Sequence, residues 1–101
     1  MEYHSIVSKI SYVFDQYVYY NLIPKKGYSY DIQNGELEIT YHWTNLPSPQ
    51  HISSMVYQEK KEELFNFIRK AAKTMIKLDA YSKVIIRQHN GDGEEVVEEI
   101  Y

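Results

Sequence analysis

Four histidines are the first residues to test for chemistry: His4, His42, His51 and His89. A metal site on a single element needs two ligands four apart on a helix or two apart on a strand. No pair here has either spacing, so they read as surface or half-buried side chains. His42 would meet Glu36 or Glu38 only if the fold assembled them. The stretch "NGDGEE", residues 90–95, opens like a calcium loop. Such a loop needs glycine at its sixth place and glutamate at its twelfth. Those places hold Glu95 and Tyr101, so a solvated turn is expected. Serines are plentiful, but none stands in a nucleophile-elbow context, and no glycine-rich phosphate loop is present. There is no cysteine, which removes thiol chemistry and disulfides. No catalytic residue, metal or cofactor is therefore expected.

Two other patterns point to binding. Arg69, Lys73 and Lys77 recur every four residues with Lys70 beside them. A line of cations suits phosphates, or pairs with the acidic tail Glu94, Glu95, Glu98 and Glu99. The second pattern is tyrosine: eleven, against three phenylalanines and one tryptophan. Tyr12 and Tyr19 lie seven residues apart on the side of a helix opposite its apolar face, with Tyr20 at the edge. Tyrosine brings large area and a polar tip at small entropy cost, which is why it is enriched at interfaces. Asp15, Asp31, Glu36 and Glu38 would add complementary charge for a basic partner.

These residues need elements to position them. From Glu2 to Tyr20, Tyr3, Ile6, Val7, Ile10, Val13, Phe14, Tyr17 and Val18 share one helical face, and Pro24 is expected to end the helix. Residues 27–43 alternate as two strands around Asn34-Gly35, the preferred pair for a two-residue type I′ turn. That turn sets Ile32 opposite Leu37, Tyr30 opposite Ile39 and Tyr28 opposite Tyr41, all on one face. It also sets Asp31 against Glu38, a like-charge pair that needs a cation, with Lys83 and Arg87 as candidates. Residues 44–51 read as a loop, and "ISSMVYQ" as either a short strand or a helix lead-in. From Glu62 to Leu78, Leu64, Phe65, Phe67, Ile68, Ala71, Ala72, Met75, Ile76 and Leu78 form the core half of a second helix. Residues 81–89 read as a strand with Val84 and Ile86 inward. The tail reads as its hairpin partner, with a capped helix begun at Asp92 as the alternative.

A chain of 101 residues with 44% hydrophobic and 25% charged content fits one globular domain, residues 1–101. The fold class expected is α+β: helix, β-hairpin, helix, β-hairpin, an antiparallel sheet packed against two helices. No run is long and apolar enough for a bilayer and no leader pattern opens the chain, so a cytoplasmic protein is expected. The net charge of −3 argues against a dedicated nucleic-acid binder.

In element order, and in phrases such as "GELEITYHW", the chain resembles the YezG-like immunity proteins, which neutralise toxin nucleases. Type III secretion chaperones share a related helix–sheet–helix–sheet order if "ISSMVYQ" is a strand. Both resemblances imply a small acidic protein, bacterial or from a phage, that binds another protein and catalyses nothing. "KGYSYDI", residues 26–32, partly resembles the aromatic RNA-binding strand of RRM domains at Lys26, Gly27, Tyr28 and Tyr30. The leading expectation is a non-enzymatic protein-binding module: an inhibitor, immunity protein or antitoxin. Its partner would be a basic nuclease or a host defence protein, met through Tyr12, Tyr19, Tyr20, Asp15, Asp31, Glu36 and Glu38. A homodimer is compatible with the same surface. The alternative is RNA or single-stranded nucleic acid on Arg69, Lys70, Lys73 and Lys77.

Overall fold

The computed structural model describes residues 2–44, 54–91 and 93–101, with side chains from Ser5 to Thr44, Val56 to Gly91 and Gly93 to Tyr101. The order is α1 (Glu2–Tyr19), β1 (Tyr28–Gln33), β2 (Glu36–His42), α2 (Ser54–Lys77), β3 (Lys83–His89) and β4 (Glu95–Ile100). The strands form one sheet in the order β1-β2-β3-β4. The tail is a strand, as expected, and the lead-in from Ser54 onward is helix. Residues 45–53 and Asp92 lie outside the described residues, as do the side chains of Tyr3 and His4.

The sheet is mixed, which corrects the antiparallel expectation. β1 and β4 run antiparallel to their neighbours, but β2 and β3 run parallel. The connection between them decides this. Antiparallel neighbours can share a short turn, whereas α2 carries the chain back toward the start of β2 and delivers β3 in the same direction. The hairpin turn receives it: Gly35 O accepts hydrogen bonds from Ser82 N at 2.9 Å and Ser82 Oγ at 3.3 Å. Asn34 and Gly35 take φ of 53° and 77°, the left-handed pair a type I′ turn requires. The β1–β2 register is the expected one throughout, Asp31 opposite Glu38 included.

Both helices end on left-handed caps. Asn21 has φ 62°, and Leu22 N reaches back to Tyr17 O at 2.9 Å. Asp79 has φ 58°, and Ala80 N reaches Met75 O at 3.0 Å. This is the Schellman arrangement, with Asn and Asp replacing the usual glycine. α1 therefore stops before Pro24 is reached.

The core lies between the helix layer and one face of the sheet. Ile10 and Phe14 of α1, Leu64, Ile68, Ala72 and Met75 of α2, Leu37, Ile39 and Tyr41 of β2, and Val84 and Ile86 of β3 are all buried. Two residues expected in the core half of the second helix are exposed, Phe67 and Leu78, the latter just past the end of α2, as is Ile32 of β1. A helix packed on one sheet buries a stripe narrower than half its wheel, so flanking apolar positions stay wet. Ile32 lies at the sheet edge, where no neighbouring strand shelters it.

Most of the tyrosines build this core. Phe14 stacks on Tyr28 at 4.7 Å between centroids and tilts against Tyr41 at 5.3 Å. Trp43 takes Tyr41, Tyr17 and Tyr57 edge-on at 6.0, 5.9 and 5.8 Å. Each hydroxyl needs a partner to enter such a place. Tyr41 donates to Gln88 Oε1 at 2.7 Å, Tyr28 to Asp15 at 2.7 Å and Tyr17 to Lys60 O at 3.3 Å, and Tyr30 shares a 2.7 Å bond with Ser11. The bond to Asp15, with burial, pushes the Tyr28 phenol up to about 12. Burial pushes Tyr17 up to about 12 as well, helped by Glu63.

Candidate protein-binding surface

The α1 flank and the β1 edge beside it carry several of the residues expected at a protein interface. Positions Ser11 and Asp15 of α1 lean onto β1 through Tyr30 and Tyr28. One step further round the helix come Tyr12 and Tyr19, 65% and 79% exposed, and Tyr20 follows at 68%. Tyr19 and Tyr20 meet edge-on at 5.2 Å. The spacing of seven places Tyr12 and Tyr19 two turns apart on one flank. On β1, the outermost strand, Ile32 is 60% exposed as well. Asp15 of α1 accepts the Tyr28 hydroxyl, and Asp31 is exposed on the opposite face of the strand.

The helix-free face of the sheet holds the other two acids named as partner contacts, and both are already engaged. Glu36 pairs with Lys83 at 3.6 Å, and Glu38 with Arg87 at 2.6 Å. Lys83 also reaches Glu99 at 3.8 Å, and Arg87 also binds Glu95. Each base on β3 thus ties β2 to β4. Although desolvation pulls the other way, the carboxylates around Lys83 raise its pKa. The Tyr101 hydroxyl and Lys83 together hold Glu99 below its usual range. Glu36 and Glu38 therefore act as sheet cement in the free protein. Among the described residues Asp31 makes no side-chain hydrogen bond or ion pair. Replacing Arg87 with leucine is expected to lower the urea midpoint, because Glu38 and Glu95 on the two neighbouring strands lose their common counterion. Urea unfolding at two salt concentrations checks it, and the loss should shrink at high salt.

His42 does not sit against Glu36 or Glu38. The parallel register pairs it with His89, and the rings stack at 4.5 Å and 11°. Burial and then His89 lower its pKa. His89 Nδ1 lies 3.6 Å from Glu95. Among the described residues no group of three or more His, Cys, Asp or Glu is placed to hold a metal. No reading of the sequence pairs these histidines, because they are 47 positions apart and meet only through the α2 crossover.

The basic stripe of α2 is divided. Arg69 is held by Glu98 of β4 at 2.7 Å and stacks over Phe65, so it is committed to the fold. Lys70, Lys73 and Lys77 are exposed. Between α2 and β4 runs an open groove of about 410 Å³ lined by Lys61, Glu62, Phe65, Arg69, Gln88 and Val96, among others. Tyr28 and Tyr30 lie under α1, so their rings are not an open platform for stacked bases. Among the described residues no helix is long and apolar enough to cross a membrane. In comparisons with known proteins, the chain matches no family model, no curated protein and no solved structure.

Proposed function

We propose that this protein is a non-catalytic binding module that neutralises a partner protein, in the manner of an inhibitor, immunity protein or antitoxin. One observation carries the reading: Tyr12, Tyr19 and Tyr20 project 65%, 79% and 68% into solvent, while Tyr17, Tyr28, Tyr30 and Tyr41 have their hydroxyls hydrogen-bonded to other parts of the fold. A tyrosine with no packing role in the monomer is a large apolar area kept in water, and burying such rings is what drives hot spots at interfaces. Asp15 on the same helix, with Asp31 on the far face of β1, favours a basic partner.

The test begins with an affinity pull-down from the native host, read by mass spectrometry and by 260 nm absorbance. A stoichiometric protein partner is expected. Tyr12→Ala with Tyr19→Ala should then weaken its binding at least about tenfold with the thermal midpoint unchanged. Full affinity in that double variant sinks the assignment of this surface. A second reading keeps nucleic acid as the ligand, favoured by Lys70, Lys73 and Lys77 standing exposed on one side of α2. Nucleic acid recovered in the pull-down and lost at high salt would be its sign.

A further inference from the structure

From the geometry we infer that the partner docks by strand addition, laying an extended segment of alternating apolar and basic residues along the free edge of β1. This rests on the binding reading above and names how the partner is held. The two ends of the sheet differ. β4, "EVVEEI", carries three glutamates in six residues, a charged edge of the kind that discourages pairing. β1, "YSYDIQ", has one carboxylate and neither lysine nor proline.

Parity shows which backbone groups of β1 are free. The two-residue turn closes on Gln33 and Glu36, and at the other end His42 N donates to Gly27 O at 2.8 Å. Paired residues exchange both hydrogen bonds at every second position of an antiparallel ladder. Gly27, Ser29, Asp31 and Gln33 therefore point their peptide groups at β2. Tyr28, Tyr30 and Ile32 point theirs outward, and β1 is the terminal strand of the sheet. Three outward N–H and C=O sets are enough to take on a strand of five or six residues.

The surroundings specify that strand. Its side chains toward the helix layer would meet Ile32, 60% exposed on the face it shares with Tyr28 and Tyr30, so they are apolar. Its side chains toward the open face would flank Ser29, Asp31 and Gln33. Asp31 faces Glu38, whose charge is taken by Arg87, and so lacks a counterion of its own. Asp15 borders the same edge from the helix layer. Asp31 calls for a cation on the incoming strand, whereas Asp15 already accepts the Tyr28 hydroxyl. Lys25 and Lys26 precede β1, which centres the attraction on Asp31.

The probe is a capped nonapeptide alternating valine and lysine, with a valine–glutamate version and a blocked lysine–valine version as controls. Amide hydrogen exchange is read on the full chain. The alternating basic peptide is expected to protect Tyr28, Tyr30 and Ile32 amides, leaving Ser29, Asp31 and Gln33 as they were. Ile32→Pro deletes an outward N–H, which an edge strand tolerates, together with the isoleucine side chain, and should weaken binding roughly fivefold to tenfold more than Ile32→Ala, which keeps the N–H. Asp31→Lys should reverse the preference toward the glutamate peptide, and it keeps the test decisive should the proline variant fold poorly. Equal binding of the blocked peptide, or protection without the alternating pattern, overturns the inference. So does protection that grows with protein concentration alone, which would make a second copy the occupant. For the captured partner, unchanged affinity in Ile32→Pro together with loss in the double tyrosine variant removes strand addition and leaves the binding surface standing. Unchanged affinity in both removes the surface itself.

Discussion

Replacing Tyr41 with alanine is expected to lower the free energy of unfolding by about 4 kcal/mol, within the range for deleting a buried aromatic ring. Tyr41 is fully buried on β2 and touches Phe14 and Trp43 with its ring. Its hydroxyl donates to Gln88 Oε1, while Gln88 Nε2 donates to Asn90 Oδ1 at 3.0 Å. The truncation thus opens a cavity where α1, β2 and β3 meet and leaves a buried amide oxygen without its donor. A domain of this size has roughly 5–15 kcal/mol in total, so the variant should unfold at far lower urea. Tyr41→Phe separates the two contributions: the ring stays and only the hydrogen bond goes, at about 1–2 kcal/mol. A phenylalanine variant as weak as the alanine one would mean that the bond to Gln88, rather than ring packing, dominates.

Adding one methyl group at Gly27 should cost about 1–3 kcal/mol through overpacking. Gly27 is buried where the chain leaves α1 and enters β1. A Cβ there would lie 2.6 Å from Pro24 O, 2.8 Å from Pro24 Cγ and 2.9 Å from Ile23 Cγ2. The nearest of these is backbone and cannot swing aside. The same residue donates to Pro24 O at 2.8 Å and accepts from His42 N at 2.8 Å, so any shift strains the first rung of the hairpin. Denaturant midpoints of Gly27→Ala against the parent protein check this. A midpoint within error of the parent would show that the Pro24 turn relaxes freely. The exposed Gly93, whose added Cβ meets nothing within 4 Å, is the natural comparison for crowding, although its φ of 95° strains any side chain.

Short-range pattern was enough for the local pieces. Asn34-Gly35 with alternating flanks specified β1, β2 and their register to the residue, since side-chain period and turn type are both short-range properties. The apolar stripe from Glu62 to Leu78 specified the later part of α2, which begins earlier, at Ser54, and the exposure of Tyr12 and Tyr19 followed from their place on the helical wheel. Signals of the same kind were present but less decisive at the caps. Asn21 and Asp79 end their helices in left-handed geometry that few residues other than Gly, Asn and Asp adopt readily, whereas Pro24 looked like the stronger stop.

The remaining features depend in each case on a partner distant in the chain. The parallel pairing of β2 with β3 depends on how far α2 carries the chain before it turns back. That pairing then spends Glu36 and Glu38 on Lys83 and Arg87, stacks His42 on His89 and brings β4 up so that Glu98 captures Arg69. Ion pairs and edges are properties of neighbouring strands, and neighbours across a sheet are fixed by topology rather than by local pattern. For the same reason Ile32, apolar and correctly phased for the core, is left in water: its face was legible from period two, but its place on the outermost strand was not.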